Sequence, residues 1–287
     1  MLKVLLATEF VFLVIAAKDD GHAAPHWGYE GATGPQHWPD LFPDFCAGSS
    51  QSPIDLDDHS ATLVTSTDAW ALDKYAIVPP EMIIKNNGHT AQVEWTLTDI
   101  NELPYISGGN LGSKYTFAQF HFHWGSVHTQ GSEHTINGLQ YPAELHLVHF
   151  KSKYETIGEA VLHEDGLAVL GIMLEISDVD NEHLTPIIAG LATVPHSGDQ
   201  ESLTTLFSLG SLLPEDTSSF YRYQGSLTTP TCNEVVTWTV FSHPITISET
   251  QLEAFRALLD EEEHHIEDNF RPVQHLNGRT LEKVQLE

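Results

Sequence analysis

The sequence predicts a single, mainly β domain (α+β in a looser scheme), with strands gathered into a sheet and only short, peripheral helices. Short alternating runs recur between clusters of Gly, Pro and Asp, and the chain carries 20 Gly and 15 Pro. Apolar residues fall two apart in those runs, the period of a half-buried strand. Helical periodicity with a cap is clear in one segment alone. At 287 residues the chain can bury a sizeable core, and no linker, repeat or low-complexity tract divides it.

Taken in order, the N-terminus reads as a secretory signal. Lys3 supplies a short positive region, and Val4 to Ala17 is mostly apolar and ends in the small pair Ala16-Ala17. Glu9 interrupts the stretch, which is short for a membrane span. Residues 1–17 are therefore expected to be removed, with cleavage as late as 24, leaving 25–287 as the functional domain. No second apolar stretch suggests a membrane anchor. Strands are expected at Thr116–Trp124, Ala143–Phe150, Leu167–Leu174 and Val235–Phe241. A helix is expected from about Glu249 to Glu262: Ser248 with Gln251 forms a capping box, and Leu252, Phe255, Leu258 and Leu259 make one apolar stripe. A shorter helix is expected near Leu203 to Leu209. The run Asp260 to Glu263 followed by His264-His265 reads as the solvated end of the long helix, since adjacent helical histidines point apart.

Charge bounds the partners. Forty Asp+Glu against twelve Lys+Arg give a net charge of −28 with histidine neutral. Nucleic acid and anionic membrane surfaces require a basic footprint, so both are disfavoured. Such acidity suits a saline or calcium-rich fluid, where self-repulsion is screened. It raises the alternative of an acidic extracellular protein associated with Ca²⁺ or mineral, although no EF-hand loop occurs. In a secreted chain the two cysteines, Cys46 and Cys232, are expected to form a disulfide. Their spacing does not show that they approach each other.

The chemistry lies in a histidine constellation. His121 and His123 stand two apart in a strand-like run, so both imidazoles can project from one face toward one ion. Alone, such a pair is a weak signal. In Glu144-Leu-His146 the same alternation sets a carboxylate beside a third imidazole, the arrangement by which proteins orient metal-bound histidine. Gln119, two residues before His121, can serve that ring through its amide oxygen. Three neutral nitrogens without thiolate suit Zn²⁺ in tetrahedral geometry, with the fourth position left for water. A structural zinc would close that position, so an open one implies catalysis. A zinc peptidase is disfavoured because H-E-x-x-H is missing.

The stretch from Phe117 to Gly125, with Ser132-Glu-His-Thr135 and Ala143 to His149, resembles the α-class carbonic anhydrases. So do His26-Trp-Gly-Tyr29, Gly34 to Trp38, Gln51 to Asp55, Asn86-Asn-Gly-His89, Gly225 to Pro230 and Asn269-Phe-Arg-Pro272, all in the family's order. The resemblance covers essentially everything after the signal. It implies a large, twisted, mostly antiparallel sheet of about ten strands, with zinc at the bottom of a cleft. It also implies reversible hydration of CO₂ to bicarbonate, with weak ester hydrolysis as a side reaction. The family is itself the standard example of zinc lowering the pKa of its water.

Further roles follow from the resemblance. Thr228 would orient the nucleophile and donate toward Glu133, and Thr229 would line the bicarbonate position. Val148, Val169, Leu227 and Trp238 would form the apolar CO₂ wall. His89 would be the proton shuttle, its ordinary pKa of about 6.5 suiting the task. Tyr29, Asn87 and Gln92 would order the intervening water, Gln92 replacing an asparagine common in cytosolic members. Asn269 would stand in the shell around the ligands, and His134 and His149 would be structural. Where the family often reads Thr-Thr-Pro-Pro, this chain reads Thr228-Thr-Pro-Thr231. The Pro230–Thr231 bond is expected to stay cis, because Cys232 bridged to Cys46 would pin the loop. An inactive relative would typically lack a ligand histidine, and this chain keeps all three.

Overall fold

The computed structural model describes residues 25–287 apart from Thr96 and Thr98, and the signal segment lies outside the described residues. Among the described residues, thirteen strands form one sheet. Its main path runs Gln200–Ser202, Met82–Asn86, Ala91–Trp95, Tyr115–Trp124, Ala143–Lys151, Leu167–Ser177, Val236–Phe241, Ser219–Gly225, Glu282–Leu286, Thr62–Ser66. The ladders are antiparallel except where Leu167–Ser177 meets Val236–Phe241 and Ile245–Ser248, and where Glu282–Leu286 meets Thr62–Ser66. The sheet exceeds the expected ten strands through short edge pieces such as Ala71–Asp73 and Tyr105–Ser107.

The four expected strands are present within a residue or two, except that the third continues to Ser177. On one face, Phe120, Phe122, Leu145, Leu147, Leu170 and Ile172 enter the larger core. The opposite face carries Val148, Val169 and Trp238 in a second cluster. Two cores on one sheet explain why Ala143–Phe150 and Leu167–Leu174 are buried throughout rather than alternately exposed.

Two helix expectations require correction. The capped helix spans only Glu249–Arg256, although its capping box forms as expected. Beyond it the Leu259 N–H bonds the Pro195 carbonyl, and the Asp260 carboxylate takes the N–H groups of Glu262 and His264, which turns the chain. His264 and His265 therefore lie on a loop. The segment Leu203 to Leu209 is not helical; Leu203, Phe207 and Leu209 are buried core residues, and a 3-10 turn follows at Leu209–Leu212. A helix at Thr185–Leu191 had no recognised sequence signal.

Candidate metal centre and active site

His121 and His146 sit directly opposite each other in the central ladder, and Gly171 faces His146 from the next strand. A Cβ at Gly171 would lie 3.1 Å from Glu144 Oε1, so glycine leaves room for that carboxylate. The ladder shifts register between Phe117 and Gln119, and the bulge resets the alternation. Phe117 can then join the core occupied by Phe120 and Phe122, while Gln119, His121 and His123 face the cavity. Simple alternation would have put Phe117 beside Gln119.

The ligand atoms of His121, His123 and His146 lie within 4.8 Å of one another, a group that could hold a metal ion. Each ring is fixed by its far nitrogen. His121 Nδ1 donates to Gln119 Oε1 at 2.9 Å, His123 Nδ1 to the Asn269 carbonyl at 2.8 Å, and His146 Nε2 to Glu144 Oε1 at 2.8 Å. The nitrogens left for a cation are therefore Nε2, Nε2 and Nδ1. His123 Nε2 is buried and has no hydrogen-bond partner. Burial, then the neighbouring rings, hold His121 well below the ordinary histidine value and His123 at about 3. Burial also lowers His146, against the pull of Glu144. Three neutral imidazoles with one orphaned buried nitrogen fit a zinc-type cation.

A second cluster of His134, Glu144 and His146 also brings metal-capable atoms together. It does not offer a free coordination set, because His134 Nδ1 is 2.7 Å from Glu144 Oε1 and its Nε2 is 2.6 Å from the Tyr223 hydroxyl. Burial alone would raise Glu144, but the charges and hydrogen bonds of His134 and His146 hold it well below the usual carboxylate range. His149 is likewise enclosed, 2.6 Å from the Tyr75 hydroxyl and outside the cavity lining.

Thr228 lines the cavity with the histidines, and its hydroxyl acts to lower the pKa of the Glu133 carboxyl. Burial raises the Glu133 carboxyl well above its ordinary value, opposed by Thr228 and by the Arg271 N–H at 2.9 Å. The loop is tied down from several sides: Leu227 N–H to the Asn233 carbonyl, Cys232 N–H to the Thr229 carbonyl, and Trp238 Nε1 to the Ser226 carbonyl. Cys46 and Cys232 are joined, and the Pro230–Thr231 bond is cis, as expected.

The cavity is lined on its apolar side by the expected Val148, Val169, Leu227 and Trp238, joined by Ile157, Val161 and Leu167. Those three had been missed, although Ile157 and Val161 stand at helical i,i+4 spacing. The polar side carries Tyr29, Asn87, His89, Gln92, Gln119 and Thr229. Asn87 Oδ1 receives the N–H groups of His89 and Thr90, so this side chain shapes its own turn. The His89 ring stacks on Trp27 with centroids 3.9 Å apart. In that pose burial, then His26, lower its pKa to about 4. The expectation of an ordinary value therefore fails for the stacked ring: desolvation favours its neutral form.

Comparison with known proteins decides the family. A model of the eukaryotic-type carbonic anhydrases matches residues 33–285. The chain belongs to the eukaryotic-type carbonic anhydrases. Carbonic anhydrase 7 of Homo sapiens is 41% identical over 260 residues, covering 89% of this chain and 96% of that protein. Carbonic anhydrase 7 of Mus musculus has the same identity and coverage. Membership makes the chain an enzyme of the carbonate dehydratase class, and the histidine cluster lines its cavity.

Proposed function

We propose that this carbonic anhydrase is a secreted, zinc-dependent enzyme that hydrates CO₂ reversibly to bicarbonate and a proton. The convergence of three oriented imidazoles around the orphaned His123 Nε2 carries the reading. His121, His123 and His146 would hold the ion, which supplies Lewis acidity and a water acidic enough to react near neutral pH.

The chain's own residues do the rest. Val148, Val169, Leu227 and Trp238 offer CO₂, an apolar solute, a surface that competes poorly for water. Thr228 would donate its hydroxyl proton toward Glu133, whose carboxyl it influences, and its oxygen would be left as an acceptor toward the reacting centre. That constraint aims a nucleophile's lone pair at the substrate carbon. Thr229, which also lines the cavity, would meet the anionic product. The proton released must reach solvent, and His89 at the cavity wall is the relay; the ring accepts it best when turned off Trp27 toward water, where desolvation no longer depresses its pKa.

Secretion is supported by the signal-like residues 1–17 and by the Cys46–Cys232 bridge, which an oxidising compartment favours. The alternative, an acidic calcium- or mineral-associated role, has only the net charge of −28 behind it.

The test is zinc analysis with stopped-flow CO₂ hydration on wild type and His89→Ala across buffer concentrations. The expected result is one zinc per chain and a variant about tenfold or more slower in dilute buffer, partly rescued by imidazole. Folded protein that takes up no zinc would end the reading. Equal rates for the two proteins would remove His89 from the path.

A further inference from the structure

Gln92, Lys85 and Glu94 form a polar strip beside the histidine cluster. Lys85 and Gln92 are cross-strand partners, and on the other side Gln92 lies opposite His121 and Glu94 opposite Gln119. Residues two apart share a strand face, so one register places all these side chains on the cavity side. Gln92 Nε2 donates to Glu94 Oε1 at 2.6 Å. The Lys85 ammonium lies 3.1 and 3.0 Å from the two oxygens of the same carboxylate. The Glu94 side chain is only 12% exposed and is paired with that cation.

We infer that Lys85 and Glu94 are positioning residues for proton transfer, acting through Gln92. A primary amide beside a carboxylate must turn its NH₂ toward it, because the reversed amide sets oxygen against oxygen. Lys85 holds the Glu94 carboxylate in place, and so locks the amide. The Gln92 carbonyl oxygen takes no hydrogen bond from the protein among the described residues, and Gln92, opposite His121 in the ladder, lines the same cavity as the ligand cluster and His89. Water at that wall must therefore donate to Gln92. A fixed acceptor on that shared wall gives the hydrogen-bond chain one direction, and directional chains are what stepwise proton transfer requires. The inference rests on the proposed relay to His89, and goes beyond it by naming what orients the path.

The test uses Glu94→Leu, Lys85→Met and Gln92→Leu in the full enzyme. In dilute buffer, turnover of Glu94→Leu should fall about fivefold, the effect of one lost oriented hydrogen bond, with kcat/KM unchanged. Lys85→Met should move the same way, and the Glu94→Leu/Gln92→Leu pair should be no slower than Gln92→Leu, because the residues act as one unit. A second readout is independent of activity. In metal-free protein the Gln92 side-chain N–H that donates to Glu94 should be shifted downfield in an amide NMR spectrum, so that the two protons are split more widely than in a free amide, and in Glu94→Leu the splitting should narrow to the free-amide value. Unchanged turnover in Glu94→Leu, or a loss shared by kcat/KM, overturns the inference. If His89→Ala matches wild type, the relay itself fails instead, and the NMR splitting alone then decides whether Glu94 orients the amide.

Discussion

Glu144 Oε1 lies 2.8 Å from His146 Nε2, and this contact turns Nδ1 of that ring toward His121 and His123. The other two rings present Nε2, each held from behind by an oxygen. The mixed set follows from where each orienting oxygen sits. Gln119 and Glu144 each stand two residues before their histidine, while the carbonyl for His123 comes from distant Asn269.

Removing the Glu144 carboxylate should weaken the metal site without emptying it. Glu144→Ala is expected to bind zinc roughly 10- to 100-fold more weakly, while Glu144→Gln, which keeps an acceptor, retains more of the affinity. Competition with a chromophoric chelator measures both. Equal affinity in all three proteins would show that the contact does not orient the ligand.

Thr228→Ala should leave the zinc content unchanged and lower kcat/KM about 10²-fold, the usual effect of losing one oriented group at a reacting centre. Stopped-flow hydration at saturating buffer isolates that step. A change of less than twofold would detach Thr228 from the chemistry.

The Cys46–Cys232 bridge joins residues at a sequence separation of 186, and both cysteines pack with Trp27 and Trp38. Its loss in Cys46→Ser/Cys232→Ser should reduce stability by about 2 to 5 kcal/mol. Urea unfolding of the two proteins reads this directly, and kcat/KM should fall too, since the Cys232 N–H holds the Thr229 carbonyl. An unchanged unfolding midpoint would contradict the prediction.

Acid should destabilise the metal-free protein before its carboxylates titrate. Burial lowers His149 from 6.5 to about 3. The unfolded chain takes up that proton as pH falls below 6.5 while the folded chain does not, so the contribution is complete above that value and is lost on acidification. The slope for one such group is about 1.4 kcal/mol per pH unit. His149→Gln should therefore flatten the stability profile by about that much between roughly pH 6 and 5. Parallel profiles for the two proteins would mean that His149 is protonated in the fold.

The local pattern around the site was legible because a strand repeats every two residues: His121 with His123, and Glu144 with His146, need no knowledge of the rest of the chain. The capping box of Ser248 and Gln251 was legible for the same reason. The length of that helix was not, because its end is set by Pro195, far along the chain. Nor was the bulge that carries Phe117 to the core face, or the stacking of His89 on Trp27, which depresses a pKa that composition leaves ordinary.

By itself, then, the sequence determined the strand segments, the three imidazoles and the two adjacent groups that orient His121 and His146. Tertiary structure alone decided the partner of His123, the Arg271 N–H that holds Glu133, and the alignment of Lys85, Gln92 and Glu94 beside His121. The physical reason is range. Periodicity tells a side chain which face to take, but only strand register and loop anchoring bring an oxygen from residue 269 or an N–H from residue 271 within hydrogen-bonding distance.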